Sequence, residues 1–518
     1  MSTQDKSEAF NAQNIHARKI QDMDSALEYF DVQLAEDIKH IRLSDPLNFE
    51  DRFKRSNPLD RHWRGSELQT LKKALELEKT TLLIAMSKDF GISEEQLEIV
   101  EYSPLMRELD QVLLQYNSWF DQTLDTPITA GLATSKVFNL PMGTVVIFGS
   151  RQDELATLLY PLIHSIAGGN YTVLVPEASS SSTLAAIEYI VNKYLNPSRV
   201  FLAQRELPIT HIEKMYADHG IDMIFDSRGS ESSKANAALA SKYGVRYVSN
   251  APGKNVVIVD INADINECCK MIAEQKFYKA GQASSGIDLL YIEASIYPKF
   301  IEEFKRNIYY EHSAASPSMG QHGKLLDRLS FSQAEKDCHD TNHGGSLEST
   351  YSIHPDTLTI GPVLIKNPKP DSMIIGQKHP NPILPIITYK NLNSVISDLA
   401  KSSDLGSLYF FSSNGSLLKD IKGLLPFKQL FFNTGNLYTS SAYTPNFDRF
   451  SVHGASAQGV FGLHTFTRQK VIAKGHEKPY SIANRTFGFG KISPFVNRLS
   501  RRHLLPTGVV ALALFYLA

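Results

Sequence analysis

Two apolar strand-length runs joined by a helix-length segment constrain this chain more than any other feature. Gly143-Thr144-Val145-Val146-Ile147-Phe148-Gly149 has the length and composition of one buried strand. Leu155–Ala167 follows with helical apolar spacing, Gly168-Gly169-Asn170 supplies the stop expected at a helix end, and Tyr171–Val175 is a second strand. The serine run Ala178-Ser179-Ser180-Ser181-Ser182 looks like low complexity but reads more simply as the cap of a helix over Thr183–Tyr194. Further strands are expected at Val200–Leu202, Met223–Phe225, Arg246–Val248 and Val256–Val259. Strands alternating with helices point to an α/β fold with a largely parallel sheet.

Upstream, residues 63–120 carry helical spacing: Leu68, Leu71, Ala74, Leu75, Leu82 and Leu83 fit one face, and Ile99, Leu105, Leu109, Leu113 and Leu114 another. The charged stretch Glu94–Glu108 reads as a solvated helix face. Downstream, a strand at Leu289–Ile292, a helix near Pro298–Tyr309, a strand at Pro382–Thr388, a helix at Val395–Leu399 and strands at Leu408–Phe411 and Leu430–Asn433 form a second α/β pattern. Residues 127–140 and about 436–470 are strand-like excursions outside either core, of the kind that builds an oligomer interface.

A chain of 518 residues with 42% hydrophobic content is long enough for two or three cores, and a net charge of −2 gives no global field for nucleic acid. Cys268, Cys269 and Cys338 make neither a disulfide framework nor a zinc-ligand spacing, and the histidines show no metal spacing either. Residues 1–58 are polar, without a secretory or transit pattern. At the other end, Arg498, Arg501, Arg502 and His503 precede the uncharged run LLPTGVVALALFYLA. As a helix that run spans about 22 Å against a hydrocarbon core of about 30 Å. The basic flank favours insertion over burial. The expectation is a tail anchor, with the globular part cytosolic, at the endoplasmic reticulum, the mitochondrial outer membrane or the peroxisome.

Between the two α/β patterns lies FYKAGQASSGIDLL, residues 277–290, a small polar loop pinned between apolar flanks and offering Gln282, Ser284 and Ser285. Taken in order, P-x-G-x-V at Pro141, A-x-G-N ending at Asn170, Gly253-Lys254-Asn255-Val256-Val257-Ile258-Val259, this Gly281-Gln282 loop and Pro382-Ile383-Leu384-Pro385-Ile386-Ile387-Thr388-Tyr389 resemble the aldehyde dehydrogenase superfamily over about residues 60–470. Within it the chain is similar to the membrane-tailed fatty aldehyde dehydrogenases. The resemblance implies a Rossmann-type cofactor domain with its preceding helices (59–249, from which 127–140 departs), an α/β catalytic-type domain (250–435), an oligomerisation segment (436–470), a linker (471–503) and the tail (504–518).

The resemblance also locates the chemistry, and there the residues depart from it. The cysteine closing G-Q-x-C is Ser284, and the glutamate opening E-L-G-G-K is Asn250, an amide that accepts no proton near neutral pH. The oxyanion amide of P-W-N-[FY]-P aligns with Gln152, among charges at Arg151, Asp153 and Glu154. Of the positions that hold NAD(P) in the family, the lysine is Val175. The glycine loop reads Arg228-Gly229-Ser230-Glu231-Ser232-Ser233, with Gly229 kept one position late and Ser233 at the last glycine. The ribose-binding glutamate is Lys378. The expectation is a protein without turnover, with no cofactor unless the family function is retained. It would be a membrane-tethered scaffold, a homodimer or the heterodimeric partner of an active paralogue. Two alternatives stay open: an altered enzyme, oxidising fatty aldehydes with NAD(P) or hydrolysing esters through Ser284 or Ser285, and a lipid- or aldehyde-binding protein.

Overall fold

The computed structural model describes residues 61–124, 134–177, 181–203, 220–229, 231–312, 323–376, 380–402, 405–435 and 456–474, together with Glu213 and Lys378. The polar extension 1–58, the tail 504–518 and most of the linker 471–503 lie outside the described residues. No helix among the described residues is long and apolar enough to cross a membrane.

Helices α1 (Arg61–Leu77), α2 (Lys79–Phe90) and α3 (Ser103–Phe120) form the expected N-terminal layer. Leu105, Leu109, Val112 and Tyr116 make the buried stripe of α3, while Ile99 and Leu114 are 52% and 83% exposed. The physical reason is local. A π-helical turn at Glu98–Tyr102 precedes α3 and displaces Ile99 from the stripe, and Leu114 falls between its i, i+4 positions. The charged stretch is not uniformly solvated either. Glu108 is buried, accepting hydrogen bonds from the Gly459 N–H at 2.7 Å and sharing one with His164 Nε2 at 2.7 Å.

Strands β1 (Asp121–Leu124) and β2 (Thr134–Pro141) belong to a separate sheet, and the first sheet takes β3 (Thr144–Phe148), β4 (Tyr171–Val175), β5 (Val200–Leu202), β6 (Met223–Asp226) and β7 (Arg246–Ser249) in the order β5-β4-β3-β6-β7, all parallel. Alternation along β3 sends Val145 and Ile147 into the core shared with the N-terminal helices, and Val146 and Phe148 into the core on the opposite face. The β3–β4 crossover is a π-helical turn at Leu155–Leu159 running into α4 (Tyr160–Gly168), where periodicity alone predicts one α-helix. Gly169 ends α4 at φ 86°, a left-handed cap. Asn170 then accepts the Gly143 N–H at 3.1 Å and donates to the Phe466 carbonyl at 2.8 Å, which ties the helix end to both neighbouring sheets. Ser181 caps the helix Ser182–Tyr194 as expected from the serine run.

The second sheet begins with β8 (Lys254–Val259), β9 (Leu289–Glu293), β10 (Ser346–Leu347), β11 (Val363–Lys366), β12 (Ile383–Tyr389), β13 (Leu405–Phe411) and β14 (Gln429–Phe432), in the order β10-β11-β12-β9-β8-β13-β14. Only the β10–β11 pair is antiparallel. Val257 and Leu290 face one core, Val256 and Leu289 the other.

The third sheet is antiparallel: β1 (Asp121–Leu124), β2 (Thr134–Pro141) and β15 (Thr467–Lys474), with β15 paired to β2 from Thr467↔Pro141 to Lys474↔Thr134. The second excursion therefore differs from a strand over 436–470. Residues 436–455 lie outside the described residues, Gly459–Thr465 is a short helix against Glu108 and His164, and the strand runs on past residue 470.

Candidate active site

The loop before β9 is built by strain and clamps. The helix Ile265–Phe277 ends, and Lys279, Ala280 and Gly281 then take φ values of 51°, 53° and 79°. Left-handed backbone costs a non-glycine residue roughly 1–2 kcal/mol, so the surroundings must enforce it. The Lys279 ammonium, wholly buried, pairs at 2.8 Å with both Asp153 Oδ1 and Glu101 Oε1, 4.6 Å over the Phe90 ring. Gln282 is buried and donates to the Lys279 and Lys324 carbonyls at 2.8 and 2.9 Å while accepting the Leu326 N–H at 3.1 Å. It is a brace for the loop. A Cβ at Gly281 would stand 2.1 Å from the Asn381 carbonyl oxygen. Gly281→Ala is therefore expected to cost about 2 kcal/mol, read as an earlier melting transition.

The loop is fixed beyond the turn as well. The Ser284 carbonyl accepts from Lys378 Nζ and Asn255 Nδ2, each at 3.0 Å, and the Ser285 carbonyl accepts from Gln275 Nε2 at 2.9 Å and Tyr409 OH at 3.2 Å. The Ser284 N–H donates to Asp153 Oδ2 at 2.7 Å. Arg151 and Gln152 form the turn after β3, so Asp153 is the side chain of that segment that reaches the loop. The residue that meets Ser284, the expected nucleophile position, is a carboxylate, and the expected amide, Gln152, lines the cavity beside it.

That cavity, about 460 Å³, lies between the C-terminal ends of β3, β6 and β7 and the N-terminal ends of β8, β9 and β13. It brings together Ser284, Asn250, Gln152, Arg228, Gly229 and Lys378 from the sequence-based set. Val175 is buried in β4, and Ser233 is buried with its hydroxyl donating to Asp226 Oδ1 at 3.0 Å; neither lines the cavity. Asn250 donates from Nδ2 to Ser227 Oγ at 3.2 Å.

Arg228 sits at the switch point of the first sheet, beyond β3 and β6, where open α/β sheets receive ligands. Its guanidinium lies 4.1 Å over the Phe148 ring and donates to fully buried Asp226 through Nε at 3.0 Å and Nη2 at 2.7 Å. Asn236 Nδ2 adds a further bond to Asp226 at 3.2 Å. Arg151 points elsewhere, pairing with Asp327 Oδ2 at 2.7 Å and Ser330 Oγ at 3.2 Å.

Three amines surround one acid beneath the loop. Lys378 Nζ pairs with Asp288 Oδ2 at 3.1 Å. Burial lowers the Lys254 ammonium below the usual lysine range, with Asp288 opposing. Burial, opposed by Asp288 and reinforced by Lys378, brings Lys276 down to about 8. The cysteines are remote from this chemistry. Cys268 and Cys269 are buried in the core of the second sheet, and none of the three lines the cavity. Burial, with Asp337 and Glu335, pushes Cys338 up to about 12. Among the described residues no group of three His, Cys, Asp or Glu is placed to hold a metal.

The sequence reading singled out neither Lys279 nor Glu101 nor Asp226, and it named Asp153 only as a misplaced charge. The signal for Asp153 is an acid where an aromatic ring is expected and for Asp226 a single acid closing the apolar run Met223–Phe225; Glu101, inside the charged stretch, and Lys279 carry none.

The profile of the aldehyde dehydrogenase family matches residues 50–472. Aldehyde dehydrogenase family 3 comG of Dictyostelium discoideum is 27% identical over 361 residues, covering 68% of this chain and 74% of that protein. Aldehyde dehydrogenase family 3 member B1 of Mus musculus is 23% identical over 454 residues, covering 83% and 93%. Among solved structures, the substrate-bound state of Staphylococcus aureus AldH superposes with a TM-score of 0.75 at 20% identity, over 90% of this chain and 98% of that one.

Proposed function

The chain belongs to the aldehyde dehydrogenase family, and from that premise we propose that it has abandoned the dehydrogenase reaction. It serves as a membrane-tethered scaffold or as the non-catalytic partner of an active fatty aldehyde dehydrogenase. One observation carries this reading: the Asp153 carboxylate accepts the Ser284 N–H at 2.7 Å. A nucleophile adding to an aldehyde makes an alkoxide, and the N–H beside the nucleophile is the donor that would stabilise it. Losing one such donor typically costs about a hundredfold to a thousandfold in rate. Here the donor is occupied, and by a negative charge that repels the alkoxide.

The nucleophile and base point the same way. Ser284 is a hydroxyl, Asn250 cannot take its proton, and no histidine among the described residues lines the cavity. The residues present do not fit a dinucleotide either. Arg228 folds onto Asp226 and Phe148 at the switch point, Val175 offers no cation, and Lys378 is spent on loop carbonyls and Asp288.

Partnering rests on the third sheet. Val471 and Ile472 on β15 are 62% and 48% exposed, one apolar side chain on each face of a strand that is an edge among the described residues, suited to pairing with a second copy or an active paralogue. The run 504–518, behind its basic flank, is the membrane anchor in this reading, with the folded domains on the cytosolic side.

Titration of the detergent-solubilised full chain with NAD and NADP is expected to release no binding heat, and a long-chain aldehyde to yield no NAD(P)H. Saturable binding together with turnover overturns the reading.

A further inference from the structure

We propose that the cavity captures aldehydes through Lys254, whose ε-amine forms a reversible imine with the carbonyl carbon. Lys254 opens β8, is only 8% exposed and lines the cavity with Ser284, Asn250 and Gln282. Among the described residues no hydrogen bond or salt bridge engages its side chain. The other described cations that line the cavity have acids of their own: Arg228 has Asp226, and Lys378 has Asp288. Among them Lys254 is left as the unpaired amine.

Its surroundings favour the neutral, nucleophilic form. Desolvation disfavours the ammonium, and Asp288, the acid that opposes this, is already paired with Lys378. In the reaction the nitrogen lone pair adds to the carbonyl carbon and the carbonyl π pair moves to oxygen. The resulting carbinolamine loses water, its oxygen leaving with the two amine hydrogens, so that aldehyde plus amine gives imine plus water. No oxidant, reductant or cofactor enters, and hydrolysis reverses every step.

A neutral imine, unlike an alkoxide, carries no charge for the Asp153 carboxylate at the Ser284 N–H to repel. This inference rests on the same cavity as the non-catalytic reading, and the two fail separately, because one is read as a trapped adduct and the other as NAD(P)H.

The test treats the full chain with hexanal and sodium cyanoborohydride, which reduces an imine to a stable secondary amine, followed by intact mass and peptide mapping. The expected result is one alkyl group on Lys254 at neutral pH, reduced by about tenfold or more in Lys254→Met. Melting curves check that the variant is folded. Should Lys254→Met not fold, mapping of the unaltered protein decides alone. Labelling confined to Lys276 or to surface lysines, or labelling at an unchanged rate in folded Lys254→Met, overturns the proposal.

Discussion

Lys279→Met lowers stability by about 3–5 kcal/mol, the range for removing one partner of a buried ion pair. Lys279 is 1% exposed and bonds two carboxylates at 2.8 Å, Asp153 and Glu101, whose side chains are 7% and 13% exposed. Methionine fills the same space but leaves two acids in a poorly solvated site with no cation between them. The loop loses its enforcement too, since the left-handed turn at Lys279 and Ala280 is held by that ammonium. Burial alone would lower the lysine; Asp153 and Glu101 outweigh it and hold the ammonium above its ordinary value of 10.5. A raised lysine gives stability that is fully present below the unfolded value and is lost only as pH rises through the folded one. The deficit of the variant is therefore expected to be level between pH 6 and 9. Melting curves across that range check it. A variant within 1 kcal/mol of the parent would show that the triad contributes nothing net.

Lys276→Met acts in the opposite direction, raising stability by about 3 kcal/mol at neutral pH. Lys276 is also 1% exposed, but burial, only partly offset by Asp288 and reinforced by Lys378, brings it down to about 8 from 10.5. At about 1.36 kcal/mol per unit, that displacement is the cost of keeping the group charged inside the fold. The sign follows from proton binding. Between about pH 8 and 10.5 the unfolded chain holds more protons than the folded one, so the stability of the parent rises through that window. The advantage of Lys276→Met is full below pH 8 and closes toward pH 10.5. A gap that does not narrow over that window would refute the assignment. Two equally buried lysines three residues apart thus carry opposite signs, decided by whether acids face the ammonium.

Much of this molecule is legible in its residues. The glycine-bounded strand at Thr144–Phe148, the stop at Gly169-Asn170 and the serine cap at Ser181 are local signals, and each element lies where periodicity and capping put it. The Gly281-Gln282 loop is the display site that the family resemblance implies, and its Ser284 and Ser285 line the cavity. The identities at Ser284 and Asn250 are enough to question the reaction.

What the residues do not reveal is of another kind. Gln152 follows from an alignment position and lines the cavity, but the Ser284 N–H is taken by Asp153, after the turn at Arg151-Gln152. Glu108 reads as solvated from its charged neighbours, yet it is covered by Gly459, which lies 351 positions away. Ile99 and Leu114 fit a regular helix that a π turn interrupts.

The sequence by itself determined the α/β order and the identities of Ser284 and Asn250 at the positions the family resemblance marks, because these depend on residues close together in the chain or on side-chain identity. Only the tertiary structure decided that Asp153 takes the Ser284 N–H, that Arg228 closes onto Asp226 and Phe148, and which buried lysine is paired. Those outcomes depend on distances between residues up to 178 positions apart, Lys279 and Glu101 among them, and on how much water the intervening core excludes. A charge in a sequence has no sign of effect until its burial and its partner are known.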